Sequence, residues 1–230
     1  MFPLNNTARR PLLCYVTDRR SLSESEPRQA LETLLSKVEA AAASGVDWIQ
    51  IREKDLSGRD YAWLTREALH RAAKHQASNG APAHILVNDR LDVALSERAG
   101  GVHLGAKSLP LLEAQRLVKN CGEGEDFVIG VSCHSLEAAK SAANDGADYL
   151  FFGPIFNTPS KAAFGAPQGV ERLAEVCRAV SVPVLAIGGI TLANASDCLA
   201  ADASGIAAIR LFQDAQDISS VVESLRKLTR

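Results

Sequence analysis

The stretch "IQIREKD" (49–55) sets three long polar side chains, Gln50, Arg52 and Lys54, at alternate positions. On a strand, residues two apart point the same way, so these three are expected to share one face. If that face looks into a covered sheet, two cations lie there without bulk water. A phosphate or diphosphate would then be the natural partner, because a guanidinium meets such oxygens in bidentate fashion. The competing reading is a structural network in which Arg52 and Lys54 pair with Glu53 or Asp89.

Further groups suited to anions follow along the chain. "AIGGI" (186–190) puts Gly188 and Gly189 between an apolar run and a helical pattern, where bare amides could cradle a phosphate or simply make a tight turn. "NTPSK" (157–161) adds Thr158, Ser160 and Lys161 in a long loop, of the kind where function tends to reside. Lys161 could equally be a solvated loop lysine. Two anion-binding regions imply two phosphorylated substrates, or one with a phosphate at each end.

What positions these groups is a regular alternation of short apolar runs and helical patterns. The expected strands are 12–16, 48–52, 84–88, 101–104, 127–131, 148–152, 183–187 and 206–210. Between them lie alanine- and leucine-rich segments such as "QALETLLSKVEAAAASG". Gly45, Gly100 and Gly146 fit helix C-caps, and Ser135 and Thr191 fit helix starts. The pattern predicts an α/β protein, a single (β/α)8 TIM barrel over residues 11–230, with a doubly wound sheet as the competitor. Residues 1–10 are expected to form a flexible N-terminal tail.

In a barrel, chemistry sits where strands run into their following loops. Thr17-Asp18, Asn88-Asp89, His103, Ser132 with His134, the glycine pair and Arg210 all fall at such places. His103, inside an apolar run, reads as a satisfied core histidine. Cys133 reads as a small filler.

The formal charge of −2 over 230 residues offers no electrostatic footprint for nucleic acid or an anionic membrane. No apolar run approaches the about eighteen residues of a membrane span. The start, "MFPLNNTARRPLL", lacks a signal-peptide core. Five cysteines without metal-type spacing suggest reduced thiols, so a cytoplasmic protein is expected. A homo-oligomer is left open.

The set "YVTD", "IQIREK", "VNDRLDVAL", "GVHLG", "GVSCHSLEAA", "FFGPIFNTPSK", "PVLAIGGIT" and "GIAAI" resembles, in this order, the thiamine phosphate synthase family with its similar thiazole tautomerases. The resemblance implies a transferase. Hydroxymethylpyrimidine diphosphate would lose pyrophosphate and join the nitrogen of a thiazole phosphate, giving thiamine phosphate. It also implies roles by matching position. Gln50, Arg52, Lys54 and Asn88 would hold the pyrimidine diphosphate, and Ser132 and Lys161 would contact its diphosphate. Thr158, Ser160, Gly188, Gly189, Ala208 and Ile209 would position the thiazole phosphate. Asp89 would ligate Mg2+.

The chain departs from that pattern in "GAKSLP" (105–110), where Ser108 stands in place of the acid that supplies a second metal ligand. Arg210 replaces a small residue; it could add to the phosphate site, obstruct it, or pair with Asp18. His134 fits the acid–base group of a metal-independent tautomerase as well as a synthase packing residue. The retained Gln50, Arg52 and Lys54 favour the synthase. A non-catalytic thiamine phosphate-binding relative is the third reading.

Overall fold

The computed structural model describes residues 10–22, 26–75, 82–122, 126–158 and 166–228. Most of the expected tail therefore lies outside the described residues, as do Ser160 and Lys161.

Eight parallel strands close on themselves in sequence order: β1 (Leu12–Val16), β2 (Trp48–Ile51), β3 (His84–Asn88), β4 (Gly101–Leu104), β5 (Val128–Cys133), β6 (Tyr149–Phe152), β7 (Val184–Ile187) and β8 (Gly205–Ala208). Closure is direct, since β1 pairs with β8 through Leu12↔Gly205 to Tyr15↔Ala208. The fold is a single (β/α)8 TIM barrel, and the doubly wound alternative is set aside. The helices among the described residues are α1 (Pro27–Ala43), α2 (Gly58–Ala72), α3 (Leu91–Ser96), α4 (Leu111–Asn120), α5 (Leu136–Asn144), α6 (Gly169–Ala179), α7 (Ala195–Ala200), α8 (Arg210–Gln213) and α9 (Ile218–Arg226).

Each strand is apolar on both faces because both are covered. Inward positions such as Leu12, Cys14, Trp48, Leu86, Val128 and Leu185 fill the barrel. The alternate positions, among them Leu13, Ile49, Ile85 and Leu150, pack against the helical shell. Aromatic rings from β2 and β6, on opposite walls, meet across the interior, with Trp48 and Tyr149 ring centroids 4.7 Å apart and Tyr149 and Phe151 5.4 Å apart. At the N-terminal end of the strands, buried Asp47 accepts from Leu13 N (2.8 Å), Arg10 Nη2 (3.1 Å) and Arg226 Nη2 (2.8 Å), tying the start of β1 to α9.

Several boundaries shift for local reasons. β2 ends at Ile51 because the Arg52 amide turns to Thr17 Oγ1 (2.9 Å). β5 starts one residue later than expected and runs on through Ser132 to Cys133. β8 stops at Ala208, and Ile209 takes helical angles to cap α8, so Arg210 opens a helix instead of closing a strand. Gly45 and Gly146 do end helices in the left-handed region (φ 84° and 86°). Gly100 does not; Arg98 (φ 53°) makes that turn after α3. Ser135 caps α5 by accepting from Ala138 N (3.1 Å). Thr191 lies a turn before α7, whose cap is Asn194, and the Thr191 amide donates to Asn194 Oδ1 (2.8 Å).

Candidate active site

The C-terminal ends of β2, β3 and β4 are joined by a chain of polar side chains. Gln50, buried on β2, donates from Nε2 to Asn88 Oδ1 (2.9 Å). Asn88 Nδ2 donates to Asp89 Oδ2 (2.6 Å), and the other Asp89 oxygen receives the Ser108 hydroxyl, a short contact, and faces the Gly105 amide (3.4 Å). Neighbours on separate strands thus hold one another in register with the pleat. Tyr61 of α2 clamps the same level from outside: its hydroxyl donates to Ile51 O (2.5 Å) and accepts from Asn88 N (3.2 Å).

Two features of this chain point outward to a ligand. Gln50 Oε1 is buried without a hydrogen-bond partner among the described residues, and buried acceptors are rarely left so. Asp89 adopts φ 63°, a left-handed conformation uncommon away from glycine and tolerated best by Asn and Asp. Strained backbone of this kind clusters at functional sites.

Arg52, the residue directly after β2, is half-buried, and among the described residues its guanidinium has neither an ion pair nor a hydrogen bond. The proposed network with Glu53 or Asp89 does not form. Glu53 is buried and taken up by the segment after β1: it accepts from Thr17 Oγ1 (2.7 Å), Arg19 N (3.1 Å) and Arg19 Nη1 (3.0 Å). Arg19 is held in turn by Asp55, at 2.6 Å and 2.8 Å. Burial pushes the Glu53 carboxyl above its ordinary value, with the Thr17 and Arg19 donors opposing that rise. Lys54 does not share the inward face. With β2 ended at Ile51 it falls in the following turn and is exposed.

Ser132 lies half-buried near the end of β5, its Oγ 2.8 Å from His103 Nε2. His103 is itself buried, stacks near Phe151 (4.2 Å between centroids), and meets the Tyr149 hydroxyl through Nδ1 (3.1 Å). It is the satisfied core histidine expected, with the addition that it touches a site residue. His134 is exposed, with Nδ1 in short contact with the Gly153 carbonyl, so that nitrogen carries the proton and donates to the loop after β6. Cys133 is buried and its thiol is pushed up to about 11 by burial, an inert group.

Gly188 and Gly189 sit in the left-handed region, φ 98° and 69°. A Cβ would lie 2.6 Å from Pro154 at the first and 2.5 Å from the Asn157 carbonyl at the second. Only glycines allow the loop after β6 to pack this closely, through Phe156 N to Gly188 O (3.0 Å). Among the described residues neither glycine amide donates a backbone hydrogen bond. Thr158, half-buried, ends the described part of that loop. Buried Ala208 and half-buried Ile209 close the neighbouring strand end. Arg210 is exposed and makes no ion pair with Asp18 among the described residues; the Asp18 backbone is held by Gln213 (3.0 Å and 2.7 Å).

No group of three or more acid, histidine or cysteine ligands occurs among the described residues. The hard oxygen donors at hand are Asp89 with the Ser108 hydroxyl beside it. That set suits a cation held by one carboxylate, water and substrate phosphates rather than a closed protein cage.

Sequence reasoning missed Arg19, Tyr61 and Tyr149 as parts of this site, and considered Glu53 only as a partner of Arg52 or Lys54. Thr17 was visible as a strand end; the others gain meaning only from partners far along the chain.

Comparison with known proteins identifies the family. The thiamine monophosphate synthase family profile matches residues 14–212. The thiamine-phosphate synthase of Methanoculleus marisnigri is 45% identical over 81% of this chain and 83% of its own, and that of Roseiflexus castenholzii 36% over 97% and 90%. The thiamine phosphate pyrophosphorylase of Pyrococcus furiosus has a solved structure with a TM-score of 0.77, at 32% identity over 96% of each chain. A 3-hexulose-6-phosphate synthase superimposes at TM-score 0.65 with 13% identity, which speaks to the barrel alone. With the family profile spanning β1 to α8 and the strand-end polar groups drawn to one mouth, this chain belongs to the thiamine monophosphate synthase family.

Proposed function

We propose that this chain is a thiamine phosphate synthase, condensing hydroxymethylpyrimidine diphosphate with a thiazole phosphate to give thiamine phosphate and pyrophosphate. The observation that carries the reading is the half-buried Arg52 residue, without a carboxylate partner among the described residues, directly after the strand whose Gln50 begins the Gln50–Asn88–Asp89 chain. A covered cation without a partner is costly, and a diphosphate supplies the missing charge.

The reaction breaks the bond between the pyrimidine methylene and the diphosphate oxygen, and forms one from that methylene to the thiazole nitrogen. The chain's work is to stabilise the departing pyrophosphate and keep water from the methylene. Arg52 is assigned to the diphosphate oxygens, with Ser132 as a hydroxyl donor to them and Lys54 and Lys161 as further cations. Gln50 Oε1, the buried acceptor without a partner, is assigned to a donor group on the pyrimidine, with Asn88 fixing the amide's orientation. The amides of Gly188 and Gly189, with Thr158, Ser160, Ala208 and Ile209, are assigned to the thiazole phosphate. His134 is assigned to holding the loop after β6 through Gly153.

Asp89, with Ser108 touching its carboxylate, is the residue proposed to hold Mg2+. When bound, the ion would neutralise charge on the diphosphate oxygens. A cytoplasmic location accords with five free thiols and with the absence, among the described residues, of any helix long and apolar enough to cross a membrane.

The test is purified protein given both substrates, with and without a chelator. Release of pyrophosphate together with thiamine phosphate is expected, and no product at any Mg2+ concentration would overturn the reading. A thiazole carboxylate phosphate offered without metal separates out the tautomerase reaction.

A further inference from the structure

We propose that Tyr149 and His103 are positioning residues that turn the Ser132 hydroxyl into a donor aimed at an oxyanion in the barrel mouth. The ligand class rests on the synthase reading; the direction of the hydrogen bonds does not.

The argument begins at Gly130. It is paired with Tyr149 across β5 and β6, and a Cβ there would lie 2.0 Å from the phenol ring carbon Cζ. The bare glycine lets the tyrosine ring lie across the inside of β5 and reach His103 on β4. Gly130 is also the register partner of His103, so the three residues share one layer of the interior. At that depth the Tyr149 side chain is fully buried, and burial keeps its phenol protonated far beyond its ordinary range.

His103 Nδ1, at 3.1 Å, is the phenol's hydrogen-bond partner, with no second one among the described residues. A phenol oxygen can donate or accept. If it accepted from an Nδ1–H, its own proton would point into the apolar interior with nothing to receive it, a loss that buried donors avoid. The phenol therefore donates, and Nδ1 is the bare nitrogen. The neutral imidazole must then carry its proton on Nε2, which lies 2.8 Å from Ser132 Oγ. Nε2–H donates, so Ser132 accepts, and its own O–H is left to point away from His103. Ser132 lies on the inward face of β5, near its C-terminal end and half-exposed, and the mouth is the open direction. Three groups in series thus end in a hydroxyl that offers a proton to whatever binds there. A diphosphate oxygen accepts such a bond; an ammonium or amide N–H ligand gains less from it.

Two measurements test this. In 15N-resolved spectra of the full chain, His103 should show Nδ1 bare and Nε2 protonated without ligand, and Tyr149→Phe, which removes the donor at almost constant volume, should lose that preference. Inorganic pyrophosphate binding by calorimetry gives the second readout. Tyr149→Phe and Ser132→Ala should each weaken it, by on the order of tenfold, and the double variant should be no weaker than Ser132→Ala alone. His103 protonated on Nδ1, or losses that multiply in the double variant, would overturn the proposal. A fixed tautomer and coupled pyrophosphate binding in a protein that makes no thiamine phosphate would uphold it while removing the synthase reading. Unchanged melting temperature in Tyr149→Phe separates these effects from misfolding.

Discussion

The Ser108 hydroxyl rests directly against the Asp89 carboxylate, across the loop that follows β4. The acid expected at position 108 from the resemblance is thus replaced by a neutral group that donates to Asp89 instead of joining it in coordinating a cation. In Ser108→Asp two carboxylates would face one another, so without a divalent ion the variant is expected to melt lower than wild type. With Mg2+ the loss should be recovered, and the half-saturating Mg2+ concentration should fall by on the order of tenfold. Activity titrated against Mg2+, paired with melting curves, checks both halves.

Arg52→Ala removes a guanidinium that stabilises no described neighbour, so stability should change little. Binding of the diphosphate substrate should weaken by about thirtyfold, corresponding to about 2 kcal/mol for a charge-assisted bond. Arg52→Lys should restore only part of it, because an ammonium cannot make the bidentate contact. Steady-state kinetics with the thiazole phosphate saturating provides the measurement.

Glu53 gives a pH dependence of stability with a definite sign. Its native pKa is raised above the ordinary 4.5, burial being the largest cause, so the folded chain holds the proton more readily than the unfolded one. Its contribution is therefore most favourable at and below pH 4.5, and is lost as pH rises through the raised native value. Glu53→Gln abolishes this titration, and the stability advantage of wild type over the variant should shrink as pH climbs above 4.5. An advantage that grows with pH would mean that the Thr17 and Arg19 donors outweigh burial. Chemical denaturation of both proteins across pH 4 to 8 decides.

Asp47 anchors the opposite end of the barrel through Leu13, Arg10 and Arg226. Asp47→Ala removes the carboxylate shared by two partly buried guanidinium groups and should destabilise the fold, by up to roughly 3 kcal/mol because Arg226 keeps its carbonyl partners. Protein that remains folded should keep its kcat, because chemistry on this architecture sits at the other face. Denaturation midpoints alongside turnover at low temperature separate the two effects.

The eight strands were legible in the sequence to within a residue or two, because strands covered on both faces must be apolar throughout, and runs such as "LLCYV" and "HILVN" cannot hide that requirement. Ser135 as a helix cap was legible for a similar reason: the side chain that satisfies the first turn sits next to it in the chain. Gln50 was singled out by the oddity of polar groups in an apolar run, and Asn88 by its place at a strand end. Lys54 was misplaced because alternation holds only while the strand lasts, and Thr17, thirty-five residues earlier, captures the Arg52 amide and ends it. The partner of Glu53, the contact between Ser108 and Asp89, and the reach of Tyr149 past Gly130 to His103 join residues distant in sequence. Periodicity and local preference are short-range quantities, and only closing the barrel brings such side chains within hydrogen-bonding distance.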